Sequence, residues 1–160
     1  MKKILPWVAV FVWIILIFNF SNQPASVSDK LSMGVTKVIF EKISFLVPNS
    51  EKQLSHLNNI VRKYAHFLIF LVLGMLVMAG LSSKKKSNRS TFRSVVTGIL
   101  VCIFFAITDE THQLFVQGRG AQLQDMLIDT AGAMVGIGVY LIVERAIKNR
   151  QNVSKNTSKI

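Results

Sequence analysis

The sequence predicts an all-α fold: a polytopic membrane protein whose four-helix transmembrane bundle carries an extracytoplasmic amphipathic helix. Three observations lead there. Of the 160 residues, 51% are apolar, and they concentrate in four runs. Basic residues gather beside alternate ends of those runs. A polar island, Thr108 to Asp125, separates the last two runs and is rich in acids. Lipid offers no hydrogen bonds to exposed backbone, so a spanning segment is expected to be helical. Such a helix needs roughly 17–25 residues, about 20 for a 30 Å core.

The first span is placed at about 4–20, after Lys2 and Lys3. A basic start and a short apolar core also describe a secretory signal. No clear small-x-small cleavage site follows Phe20, so the run is read as a retained span. Ser21 to Ser28 contains Pro24 and several capping residues, which reads as a turn. From Asp29 to Val47, Leu31, Val35, Val38, Ile39, Ile43 and Leu46 recur at helical spacing among charged residues. This helix is expected either on the outer membrane surface or as a cap on the bundle.

Pro48 to Ser50 should break that helix. Ser50 with Gln53 resembles a capping box, which would start another. Its apolar face (Leu54, Leu57, Ile60, Val61, Tyr64) leads into a second span at about 64–81. A basic loop, 82–93, connects to a third span at about 95–113, and a fourth lies at about 126–143. Residues 1–150 thus read as one transmembrane domain without repeats. Residues 151–160 read as a polar, disordered cytoplasmic tail.

The formal charge of +11 could suggest nucleic acid. The distribution of the charge argues against it. Lys84, Lys85, Lys86, Arg89 and Arg93 fill the 82–93 loop without an acid, and Arg145, Lys148 and Arg150 follow the fourth span. The positive-inside rule then places both termini and that loop in the cytoplasm of a bacterial cell, with the polar island facing outward. The 21–63 segment carries six bases against three acids, a mild contrary signal. The single cysteine, Cys102, lies mid-span, so no disulfide framework exists and a packing role is expected.

Carboxylates in a span are costly, about 3 kcal/mol each on insertion scales, so they are expected to be used. Counting from the cytoplasmic ends at 1.5 Å per residue puts His66, Asp109 and Asn19 all about 24 Å up, with Asp129 at about 22 Å. Straight, similarly tilted spans would therefore bring these residues to one polar level. Asp125, Asp129, Gly132 and Gly136 share one helical stripe, and the G-x-x-x-G pair admits a close neighbour. Asp129 is thus expected to point into the bundle. Asp109 lies one turn from Gln113, and Arg62 one turn from His66.

Such a layer suits recognition of a polar headgroup or a peptide stem. Arg119, between Gly118 and Gly120, is placed on a flexible loop where it could clamp a phosphate or carboxylate. Asp109, Glu110 and His66 are the candidates for general acid–base work if the protein is an enzyme. The same carboxylates could hold Mg²⁺ and, less readily, zinc. No spacing of the H-E-x-x-H kind is present, so neither a metal nor a cofactor is expected.

At these residues the chain resembles the VanZ-like family, small bacterial membrane proteins of the teicoplanin-resistance type. The resemblance rests on Ser21-x-Gln23, on Arg62-Lys63-x-x-His66-Phe67, and on Asp109-Glu110-x-x-Gln113-x-Phe115. It continues through Gly118-Arg119 and Asp125-x-x-x-Asp129-x-x-Gly132-x-x-x-Gly136. It implies a cell-envelope role, low-level resistance to teicoplanin-like lipoglycopeptides, without supplying a mechanism. The expected ligand site comprises Ser21, Gln23, Lys63, His66, Asp109, Glu110, Gln113, Arg119, Asp125 and Asp129. The partner expected there is a membrane lipid or a lipid-linked cell-wall precursor, with the lipoglycopeptide and a second copy of the chain as further candidates. A membrane enzyme acting on a lipid or lipid-phosphate headgroup is the alternative, because binding and catalysis want the same residues.

Overall fold

The computed structural model describes residues 4–43, 51–82 and 88–157. Among them it contains five helices and no strand: α1 (Leu5–Ser21), α2 (Ala25–Ile43), α3 (Glu51–Ser82), α4 (Asn88–Gln113) and α5 (Leu123–Thr157). Most of α3, α4 and α5 is long and apolar enough to cross a membrane. The 17 residues of α1 sit at the lower limit for doing so alone. It passes the same test jointly with α2, from which it is bent by 102°.

Pro6 helps α1 begin, since its missing N–H and fixed φ suit a first turn. Pro24 ends the rod by removing the donor a continuing helix would need. Its carbonyl instead accepts the N–H groups of Val27 and Ser28, at 3.0 and 3.1 Å, and opens α2. The core is built from Val10 and Ile17 of α1, Phe70, Leu73 and Val77 of α3, and Ala133 of α5. Cys102 and Ala106 of α4 complete it, so Cys102 packs as expected. Trp13 of α1 donates its indole N–H to the Ile69 carbonyl of α3 at 2.9 Å.

The closest packing is between α3 and α5. A Cβ on Gly132 would strike the Phe67 carbonyl, one on Gly136 the Leu71 carbonyl, and one on Gly74 the Ala133 carbonyl. The expected stripe is therefore a backbone-to-backbone seam, and small residues are what permit it. Large apolar side chains such as Phe92, Leu100, Phe104 and Ile142 face outward instead. That distribution suits a lipid surround better than water.

Helix α2 turns its small polar side inward. Thr36 is fully buried and donates to the Ser32 carbonyl at 2.8 Å and to Asn58 Oδ1 of α3 at 3.1 Å. Leu31, Val35, Val38 and Ile39 are exposed. The helix packs on α3 as the expected cap would and presents its apolar face outward.

Two boundaries differ from expectation. The helix of α5 continues to Thr157, so residues 151–157 are helical and not a disordered tail. No glycine or proline follows Gly138, and Lys148 pairs with Glu144 one turn earlier at 2.9 Å, so nothing stops the helix. The backbone of α4 is helical from Asn88, which brings Arg89 and Arg93 out of the expected loop. The expected break at Pro48 to Ser50 and the rest of the 82–93 loop before Asn88 lie outside the described residues.

Candidate functional site

The C-terminal ends of α1 and α4, the N-terminal end of α5 and the middle of α3 meet at one level of the bundle. Ser21, the last residue of α1, is buried because Pro24 turns the chain away just beyond it. Its hydroxyl donates to Asp109 Oδ2 at 2.7 Å. Gln113, one turn after Asp109 on α4, donates through Nε2 to the same oxygen at 3.1 Å and to the Ser21 hydroxyl at 3.3 Å. Asp109 is fully buried, and its Oδ1 has no hydrogen-bond partner.

Glu110 is also buried. Its Oε2 accepts the backbone N–H of Gln122 at 2.8 Å, which ties the α4–α5 loop back onto α4, and its Oε1 has no partner. Asp129 is fully buried on the α5 seam, and neither of its oxygens has a hydrogen-bond partner. His66 of α3 faces it with Nδ1 at 3.7 Å from Oδ1, beyond hydrogen-bonding reach. One imidazole nitrogen of His66 and one oxygen each from Asp109 and Asp129 lie within 4.8 Å of one another. Those three side chains could share a metal ion.

The cations divide into two groups. Lys63 is taken up by Gln124 Oε1 at 3.1 Å and Asp125 Oδ1 at 3.4 Å. Arg62 pairs with Asp29 of α2 at 3.3 Å. Arg119 sits in a loop of tight turns: its N–H bonds the Val116 carbonyl at 3.1 Å, and the preceding Gly118 has a φ of 76°, which favours glycine. The Gln117 carbonyl accepts the Ala25 N–H of α2 at 3.2 Å, pinning the loop to the α1–α2 corner. The expected flexible loop is thus hydrogen-bonded into the bundle, because Gly118 permits the turn that brings it there. The half-buried Arg119 has a buried Nε without a partner. Burial first, and then the neighbouring Arg62, pull its guanidinium below its ordinary value, with Asp109, Asp29 and Glu110 opposing. It stays cationic at neutral pH.

Two cavities meet at these cations. A polar one of about 60 Å³ is lined by Arg62, His66, Gln113, Arg119, Gln122 and Asp125, among others. A mostly apolar groove of about 260 Å³ runs between α1, α2 and α3. Phe20, Leu31, Val35 and Ile69 form its walls, and Arg62, His66 and Arg119 line it too. Gln23 lies on this groove, outside the Ser21–Asp109–Gln113 network.

The structure therefore brings Ser21, His66, Asp109, Gln113 and Asp129 together in one buried layer, with Glu110 on the same helix end. Lys63 and Asp125 form a pair at its edge. Asp29, Trp13 and the Thr36–Asn58 pair were not singled out from the sequence. Asn58 carried a legible signal, an amide on the apolar side of an amphipathic helix. Asp29 carried none, since its partner is 33 residues away.

The family model described as VanZ/LLP1 matches residues 6–144. No curated protein and no solved structure matches the chain.

Proposed function

The chain belongs to the VanZ/LLP1 family, and from that premise we propose a multi-pass protein of the bacterial plasma membrane that binds a lipid-linked cell-wall precursor. Both termini are cytoplasmic in this reading, and residues 1–150 form the transmembrane domain. The binding shields the precursor at the outer leaflet and gives low-level protection against teicoplanin-like lipoglycopeptides. The observation that carries the proposal is the meeting of an apolar groove with a polar cavity at Arg62, His66 and Arg119. Arg62 lies beside the half-buried Arg119, and a phosphate would accept from both guanidiniums. A lipid phosphate would set its headgroup in the polar cavity and its chain in the groove. Gln23 and Ser28 would border the passage between them.

The test uses a sensitive Gram-positive host and the purified full-length protein. The intact chain should raise the inhibitory concentration of teicoplanin, and Arg119→Ala at equal membrane level should not. Loss of one charge-assisted clamp, about 1.5–3 kcal/mol, should weaken precursor binding by roughly 10–100-fold. Binding of a long-chain isoprenyl phosphate that ignores both Arg119→Ala and Arg62→Ala would sink the proposal.

The unpartnered oxygens of Asp109, Glu110 and Asp129 favour a second reading, an enzyme acting on a lipid-phosphate headgroup. Turnover of the same labelled lipid, lost in Glu110→Gln with binding retained, would select it.

A further inference from the structure

We propose that His66, Asp109 and Asp129 form a binding site for one divalent transition-metal ion, zinc or manganese. The residues come from α3, α4 and α5, so the ion would tie three helices together. Their ligand atoms all lie within 4.8 Å of one another. A second observation points to a ligand independently of that cluster. Asp129 is fully buried, and neither oxygen has a hydrogen-bond donor; Asp109 is fully buried, and Oδ1 has none. Buried carboxylate oxygens are almost always paired, and a cation shared between these two would supply the missing partner.

The distances suit an ion better than a direct ion pair. His66 Nδ1 is 3.7 Å from Asp129 Oδ1, too far to donate a hydrogen bond. Two ligands on a tetrahedral ion, with bonds of roughly 2.0–2.1 Å, stand about 3.4 Å apart. Small side-chain rotations would close the shell. One imidazole with two carboxylates suits zinc or manganese better than magnesium or calcium, which take oxygen throughout. Asp109 also has the support expected of a ligand carboxylate. Ser21 and Gln113 both donate to its Oδ2, at 2.7 and 3.1 Å, and hold Oδ1 free for coordination. Three protein ligands leave a position open, and His66 lines the polar cavity beside it. Water or a phosphate oxygen would complete the shell there.

The test uses the full-length protein, purified in detergent and stripped with EDTA. Titration with Zn²⁺ and with Mn²⁺ should show one saturable site per chain for at least one of them, with a rise in thermal unfolding temperature. Asp129→Asn should abolish both the binding and the rise. Should that variant misfold by circular dichroism, His66→Gln, at a half-buried position, serves in its place. Ser21→Ala, which keeps all three ligands, should weaken the ion's affinity by about 10–100-fold. Arg119→Ala, which keeps all three ligands, should retain the saturable site, so failure here is separable from failure of the lipid reading. No saturable binding of either ion, or binding that survives Asp129→Asn and His66→Gln, would overturn the proposal.

Discussion

Ser21 decides more than its size suggests. A serine at the end of an apolar helix ordinarily returns its hydroxyl to its own backbone. This one reaches Asp109, 88 positions away, and joins α1 to α4. A hydrogen bond to a charged group contributes about 1.5–3 kcal/mol. Ser21→Ala should therefore lower stability by about that amount in metal-free protein, read as thermal unfolding in detergent. Ser26→Ala, at an exposed position of α2, should change little. At this scale the sequence was informative where a polar residue interrupts an apolar stretch. Asp109, Glu110 and His66 are conspicuous for that reason. Asn58 is legible in the same way, as an amide on the apolar side of α3, but Asp29 is not, because it sits in a polar stretch and its partner Arg62 is 33 residues away. Gln23 shows the converse. Proximity to Ser21 in the chain suggests a shared role, yet the turn at Pro24 sends it to the groove instead.

Each element shows which part of its pattern was local. The G-x-x-x-G stripe on α5 could be read directly, since helical phase depends only on spacing. Its partner could not, because nothing in α5 says which carbonyls approach. They prove to be Phe67 and Leu71 of α3. Gly136→Ala should thus push backbone against backbone and lower stability by about 1–3 kcal/mol. Gly138→Ala, with open space around it, should be neutral or slightly stabilising on the same thermal assay, since alanine favours the helix. On α2 the amphipathic pattern was visible but its orientation was not. Thr36 faces α3, and the apolar side faces away, because Asn58 offers Thr36 a buried partner. The polar composition of residues 151–157 suggests disorder, yet these residues extend α5. A run without glycine or proline, begun by a stable helix, simply continues.

At the scale of the molecule, charge distribution argues the topology and packing argues the site. Cys102 is the only cysteine, which makes labelling simple. In a Cys102→Ala background, Ala121→Cys in the α4–α5 loop should react with an impermeant maleimide on intact cells. Gln151→Cys, on the far end of α5, should react only after permeabilisation. The reverse pattern would overturn the proposed orientation and move the polar layer to the inner leaflet. By itself the sequence determined the all-helical class, the apolar spans and the residues that carry unusual charge. Those depend on composition and spacing within single helices, where period and hydropathy suffice. Only the tertiary structure decided that α2 folds back at 102° to α1, that Lys63 takes Asp125 while Asp129 goes without a donor, and that an apolar groove ends at Arg62 and Arg119. These are pairings between residues tens of positions apart, set by which helix surfaces fit together, and no local pattern encodes them.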